Sequence, residues 1–224
     1  MTDNVEVASS ACAATEADWG FGSGLDLAVL ILAGGEGKRM GGAKPERTLG
    51  GRRLIDHAID VARRYGERIA LGLRAADQIS APDDLECVID QPGIEGPLAN
   101  LAAGIVWAKR RGASCLLTIP CDAPFLPYDL ARRLQARLAT SSAAVVLPAS
   151  HRRWHPSSAL WRVCVLDQLS NYLASRQRSL IGLAEHVGYA VENWGAPERD
   201  PFFNVNTPED LRAAESCLAQ PHLE

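Results

Sequence analysis

The chain has no cysteine pair at C-x-x-C spacing, no basic excess and no membrane-length apolar run. Each absence removes a class of function. Six cysteines (Cys12, Cys87, Cys115, Cys121, Cys164 and Cys217) are scattered through 224 residues, and none pairs with histidine at zinc-ligand spacing. They read as small buried hydrophobes in a reducing compartment. The formal net charge of −4 argues against general nucleic-acid binding, which needs a cationic face. No stretch approaches the roughly 20 apolar residues of a spanning helix. The start also lacks the basic flank and long apolar core of a signal peptide. The expectation is a soluble, cytoplasmic protein with neither membrane nor nucleic-acid partners, a monomer or weak oligomer. An apolar fraction of 47% is enough for a core.

Residues 1–26 are small, polar and acidic, with Gly20, Gly22 and Gly24 near their end. They read as a disordered lead-in to a domain spanning 27–224. From Leu27 onward, strand and helix patterns alternate. Leu27 to Ala33 is a fully apolar strand. Ile55, Ala58, Ile59 and Ala62 recur at helical spacing, closed by Arg63, Arg64 and Gly66. Strands are expected at 68–73, 85–90, 115–119 and 143–147. Leu98, Leu101, Ala102, Ile105 and Val106 share one helical face, and a further helix is expected at 127–138. Beyond residue 150 the pattern predicts a strand at 157–161, two helices within 162–187, and strands at 189–194 and 202–205. Thr207-Pro208-Glu209-Asp210 then opens a helix, with Thr capping and Pro at the first helical position. Such alternation predicts α/β architecture, with ligands bound beyond the carboxyl ends of a mostly parallel sheet.

The strand at Leu27–Ala33 empties into Gly34-Gly35-Glu36-Gly37-Lys38-Arg39-Met40-Gly41-Gly42. Glycines let backbone N–H groups approach an anion, and Lys38 and Arg39 add charge. The stretch fails as a Walker A loop, because Gly37-Lys38 is followed by Arg39 and the earlier glycine position is Leu32. It fails as a G-x-G-x-x-G fingerprint, because the third position is Met40. Lys44 and Arg47 extend the cationic cluster.

Two aspartates, Asp90 and Asp122, follow strand patterns and are expected at the same sheet edge. One or two carboxylates plus substrate phosphates are what Mg²⁺ takes. Asn204 and Asn206, two apart on an expected strand, would face one side. His151-Arg152-Arg153-Trp154-His155 is a basic and aromatic loop suited to an anionic, flat second substrate. Cys121 beside Asp122 lacks a supporting histidine and is not read as a nucleophile.

Leu32-Ala33-Gly34-Gly35 with Gly37, Arg39, Met40 and Lys44 resembles the nucleotide-binding signature of the nucleotidyltransferases. Four later stretches sharpen the resemblance: Gly96-Pro97-Leu98-Ala99, Pro120-Cys121-Asp122-Ala123-Pro124-Phe125, His155-Pro156, and Phe203-Asn204-Val205-Asn206-Thr207-Pro208. In order and spacing they are similar to the molybdenum cofactor guanylyltransferases, over residues 27–217.

The resemblance implies a single-domain, three-layer α/β/α nucleotidyltransferase (Rossmann-like) fold. It also implies Mg²⁺-dependent transfer of GMP from GTP to the molybdenum-bound pterin, with pyrophosphate released. Leu32, Ala33, Gly34 and Gly35 would then contact guanine and ribose, and Gly37 to Met40, Arg39 included, would wrap the phosphates. Lys44 would bind the triphosphate, and Asp90, Gly96, Pro97 and Leu98 would lie at the nucleotide. Asp122 would hold the metal. Asn204, Asn206 and His155 would serve the second substrate. Molybdoenzymes or their chaperones are the implied recipients. The chain departs from the family at three places: it lacks the Asp before Lys44, has Asn100 where glycine is usual, and has no Asn at the end of the second strand. Alternatives in view are a cytidylyltransferase acting on the same pterin, a sugar-phosphate or methylerythritol-phosphate nucleotidyltransferase, and a non-catalytic nucleotide-binding domain. Gly34 leaves room for a purine and favours GTP over CTP.

Overall fold

A computed structural model describes residues 25–34, 44–175 and 177–219. Residues 1–24 of the expected lead-in therefore lie outside the described part. Leu25 and Asp26 are already tied to the domain: Gln135 Nε2 donates to Leu25 O at 3.0 Å, and Ser114 N donates to Asp26 O at 2.9 Å.

The fold is built on strand β1 (Leu27–Leu32). On one side it pairs in parallel with β6 (Cys115–Pro120), and on the other with β4 (Ile69–Leu73), which in turn pairs in parallel with β5 (Glu86–Ile89). Beyond β6 lie β9 (Leu160–Arg162), β7 (Val145–Ser150) and β10 (Tyr189–Asn193), giving the order β10-β7-β9-β6-β1-β4-β5. The sheet is mixed at one point. β9 runs antiparallel to both β6 and β7, and the two-residue β8 (Arg153–Trp154) folds back on β7. A separate hairpin, β2 (Thr48–Leu49) with β3 (Arg52–Arg53), turns through Gly50 and Gly51 at φ 58° and 79°. Positive φ at both central residues is the glycine-favouring turn that matches strand twist.

Alternation along β1 separates two cores. Val29 and Ile31 pack with α1 (Leu54–Tyr65) and α3 (Leu130–Ala139), while Ala28 and Leu30 pack with α2 (Pro97–Arg110), α4 (Val165–Ala174) and α5 (Leu180–Val187). This is the expected three-layer arrangement. A sheet buried on both faces explains why β1 and β6 read as unbroken apolar runs. α2 presses close on β1 at Gly104, where an added Cβ would lie 2.4 Å from Leu30 Cδ2.

Several boundaries differ from the sequence expectation, each for a local reason. Residues 127–129 form a turn before α3, closed by Leu130 N donating to Pro127 O at 3.1 Å. β7 runs on to Ser150, because its last residues are paired by β8 and β10. The strand expected at 157–161 begins at Leu160, since Pro156–Ser158 is a 3-10 turn. Residues 202–205 are not a strand; Val205 N makes one backbone bond, to Asp122 O at 2.8 Å. The helix α6 (Pro208–Ala219) starts where expected. Thr207 Oγ1 accepts from Asp210 N at 3.1 Å, and Asp210 Oδ2 accepts from Thr207 N at 2.9 Å, a reciprocal capping box. No described helix is long and apolar enough to cross a membrane.

Candidate active site

Three elements far apart in sequence meet beyond the carboxyl end of β6. Lys44 leads a 3-10 turn, Lys44–Glu46, whose Pro45 is buried. That turn is braced by Arg53, which hydrogen-bonds Glu46, Asp56 and the carbonyl of Ser80. The Arg53 guanidinium holds the Asp56 carboxyl below its usual range. Thus anchored, Lys44 sends its ammonium to Asp122, just past β6, and donates to Asn206 Oδ1 at 2.7 Å. The Lys44 and Asp122 side chains are only 12% and 13% exposed, so the pair sits in a partly desolvated cleft. Asn206 is held in turn by the capping box, because Asp210 Oδ2 also accepts its N–H at 2.8 Å. The backbone bond from Val205 to Asp122 fastens this segment beside β6.

Asn204 and Asn206 do not share one role. Asn206 meets Lys44, whereas Asn204 Oδ1 is buried without a partner among the described residues. The same-side expectation rested on strand geometry, which residues 202–205 lack.

A second group lies on the other side of β1, beyond β4 and β5. Leu32 pairs with Pro120 and Gly72. Ala33 is fully buried; its N–H donates to Gly72 O at 2.9 Å and its carbonyl accepts from Gln78 Nε2 at 2.6 Å. Gln78 also accepts from Arg74 N, so it clips the outlet of β1 to the loop after β4. No periodicity marks Gln78, and sequence reading passed over it. A Cβ at Gly34 would lie 3.6 Å from Asp90 Oδ2 and 3.6 Å from Asn100 Nδ2. Asp90 is fixed by its own N–H to Leu73 O at 2.8 Å and by Asn100 Nδ2 to its Oδ1 at 2.6 Å. It also borders an open cleft of about 580 Å³ between β5 and α2, which includes neither Lys44 nor Asp122. Gly96, at φ 70°, makes the turn into α2 that few residues other than glycine tolerate, and Pro97 opens the helix. Leu98 is a fully buried core side chain, so only its backbone is left for a ligand. Gly35, Gly37 and Arg39, together with Lys38, lie outside the described residues.

His155 belongs to a third cluster, at the end of β7. Ser150 is fully buried; its hydroxyl lies 2.7 Å from Asp200 Oδ1 and 2.8 Å from His155 Nε2. A serine has one hydroxyl proton and an ionised carboxylate can only accept. Ser150 therefore donates to Asp200 and accepts from His155 Nε2–H. The ring stacks on Phe202 at 4.5 Å and 11°. Burial, then the nearby Arg153 and His151 charges, lower its pKa against the opposing pull of Asp200. The hairpin tip carrying this group is strained, with His151 and Arg152 at φ 48° and 62°. Each costs about 1–2 kcal/mol without the freedom of glycine.

Cys121 has no nucleophilic character, because burial and the neighbouring Asp122 charge push its thiol up to about 12. Among the described residues no three His, Cys, Asp or Glu gather as a metal cage. The oxygens that meet Lys44 are the Asp122 carboxylate and the Asn206 amide oxygen. That set of hard oxygens fits Mg²⁺ if substrate phosphates complete the shell.

The chain matches the model of the MobA-like NTP transferase domain over residues 29–188. It is 42% identical over 193 residues to a molybdenum cofactor guanylyltransferase of Cereibacter sphaeroides, covering 84% of this chain and 95% of that one. The corresponding protein of Rhizobium meliloti is 38% identical over 204 residues, covering 87% and 92%. Among solved structures, molybdopterin-guanine dinucleotide biosynthesis protein A from Archaeoglobus fulgidus superposes with a TM-score of 0.70 at 22% identity, covering 85% of this chain and 98% of that one. A CMP:2-keto-3-deoxy-manno-octonic acid synthetase complexed with CTP gives 0.68 at 14% identity, covering 87% and 99%. The two structural likenesses speak for the fold alone.

Proposed function

The chain is a nucleotidyltransferase belonging to the MobA-like NTP transferase family, and we propose that it transfers GMP from GTP to the terminal phosphate of the molybdenum-bound pterin, releasing pyrophosphate. The observation that carries this reading is the meeting of Lys44, Asp122 and Asn206 at the end of β6, with Asp90 across β1 from them. The triphosphate lies on the Lys44 side and the base on the Asp90 side. The attacking atom is a phosphate oxygen of the pterin and the broken bond is that between the α-phosphorus and the bridging oxygen of pyrophosphate.

Such transfer needs positioning and charge neutralisation rather than a side-chain nucleophile, which accords with the inert Cys121. Lys44 neutralises charge gathering on the leaving pyrophosphate, and Asn206 keeps the ammonium aimed. Asp122 is the residue that would hold Mg²⁺, with the Asn206 amide oxygen as a further donor. Bound there, the ion supplies positive charge to the phosphates. By the family resemblance, Gly35 would serve the guanine and ribose and Gly37 and Arg39 the phosphates, while His155 and its stacked Phe202 would serve the pterin. The work is cytoplasmic, and the product passes to molybdoenzymes or their chaperones.

The test is pyrophosphate release with molybdenum-pterin, Mg²⁺ and each of GTP, CTP, ATP and UTP. Release with GTP is expected. Release with CTP alone removes the guanylyl assignment, and GTP binding without release leaves a nucleotide-binding domain.

A further inference from the structure

Gly72 and Asn100 are complementary in shape in a way that bears on the base. Gly72 lies on β4 directly opposite Leu32 of β1, on the face covered by α2. The place its side chain would occupy is taken by the amide of Asn100, from the first turn of α2. A Cβ at Gly72 would lie 1.8 Å from Asn100 Oδ1 and 2.6 Å from its Cγ. Nothing larger than glycine at 72 is compatible with Asn100 where it stands.

Asn100 is 4% exposed, and its Oδ1 has no hydrogen-bond partner among the described residues. An unsatisfied buried polar atom is unfavourable, so an apolar residue of this size would serve packing better. What the amide gains is its other end: Nδ2 donates to Asp90 Oδ1 at 2.6 Å. Flipping the amide would set its carbonyl against the carboxylate, so the orientation is fixed. One oxygen of Asp90 is thereby committed, and Oδ2 is left beside Gly34 at the outlet of β1. A carboxylate pinned in this way accepts and never donates. It suits a base edge with two adjacent N–H donors, such as N1–H and the 2-amino group of guanine. Cytosine, adenine and uracil place acceptors beside their single donor group.

We propose that Asn100 is the positioning residue for base selection: seated over Gly72, it holds Asp90 in the orientation that selects guanine. This rests on the guanylyl reading and deepens it.

The experiment measures affinity for GTP, inosine triphosphate (which lacks the 2-amino group) and CTP, in the full-length protein and its variants. Wild type is expected to bind GTP at least tenfold tighter than inosine triphosphate. Asn100→Ala is expected to bring that ratio within threefold. Asn100→Ser, one atom too short to reach Asp90, gives a second variant with the same expectation. Gly72→Ala is expected to lower the melting temperature of wild type but not of Asn100→Ala, because the clash has gone. If Asn100→Ala or Asn100→Ser weakens both purine nucleotides equally, Asn100 only packs the helix and the proposal fails. Wild type that rejects CTP but binds both purine nucleotides alike also overturns it, with the guanylyl reading intact. Wild type preferring CTP overturns both.

Discussion

Lys44 and Asn206 are joined by a 2.7 Å hydrogen bond across 162 residues of chain. The contact closes the site between the loop that follows β1 and the cap that starts α6. Lys44 also pairs with Asp122, so one ammonium is held by two acceptors. Aimed by those two acceptors, the ammonium acts most where negative charge gathers on the leaving pyrophosphate, which is in the transition state.

Lys44→Ala is therefore expected to lower kcat/KM for nucleotide by about 100-fold, or ~2.7 kcal/mol. The loss should exceed that of Lys38→Ala in the same steady-state assay of pyrophosphate release. The reverse order would give the phosphate-binding role to Lys38.

Asp122→Ala should abolish Mg²⁺-dependent turnover while the fold survives. Removing the carboxylate leaves Lys44 with Asn206 alone in a cleft where the lysine side chain is 12% exposed. A mostly buried polar partner that loses its acceptor costs about 1–3 kcal/mol, a loss of roughly 2–12 °C in melting temperature for a domain of this size. A cooperative melt combined with a flat response to Mg²⁺ is the expected pair of results. Turnover still rising with Mg²⁺ would move the metal to another ligand.

What the sequence made legible follows from the range of the interaction. The buried strands at β1 and β6, the helix ended by Arg63, Arg64 and Gly66, and the Thr207 cap are all local patterns, and all stand in the structure. The antiparallel β9 between β6 and β7 was not legible, because three residues carry no direction signal. Residues 202–205 misled for a related reason: an apolar and polar alternation there serves a single bond to Asp122, not a ladder. The candidate residues Lys44, Asp90, Asp122 and Asn206 stand out by residue type and resemblance. The clip from Gln78 to Ala33 and the bond from Ser150 to Asp200 span 45 and 50 residues, which no local spacing encodes.

Gly104→Ala sets two effects against each other. Alanine gains up to about 1 kcal/mol in helix propensity. Its Cβ would lie 2.4 Å from Leu30 Cδ2 and 3.1 Å from Leu116 Cδ2, and both leucines are fully buried. Overpacking of that kind costs about 1–3 kcal/mol, so the clash wins. The urea midpoint is expected to fall with an unchanged m-value; a rise would mean that Leu30 has a free rotamer to retreat into.

His155 gives the domain a stability slope on the acid side of neutrality. Its folded-state pKa is held below the ordinary 6.5, chiefly by burial. The unfolded chain therefore binds the proton more readily than the folded one, and stability rises with pH through this window. The contribution is full above the unfolded value near 6.5 and is lost as pH falls through the lower folded value. Protonation also tests the Asp200–Ser150–His155 chain, since Nε2 already carries its hydrogen and the added proton must enter at Nδ1. Urea unfolding between pH 8 and pH 5 should show stability declining by at most about 1.4 kcal/mol per pH unit from this group. His155→Gln should flatten that part of the profile. An unchanged profile would assign the slope to another group and leave the His155 proton uncoupled from folding.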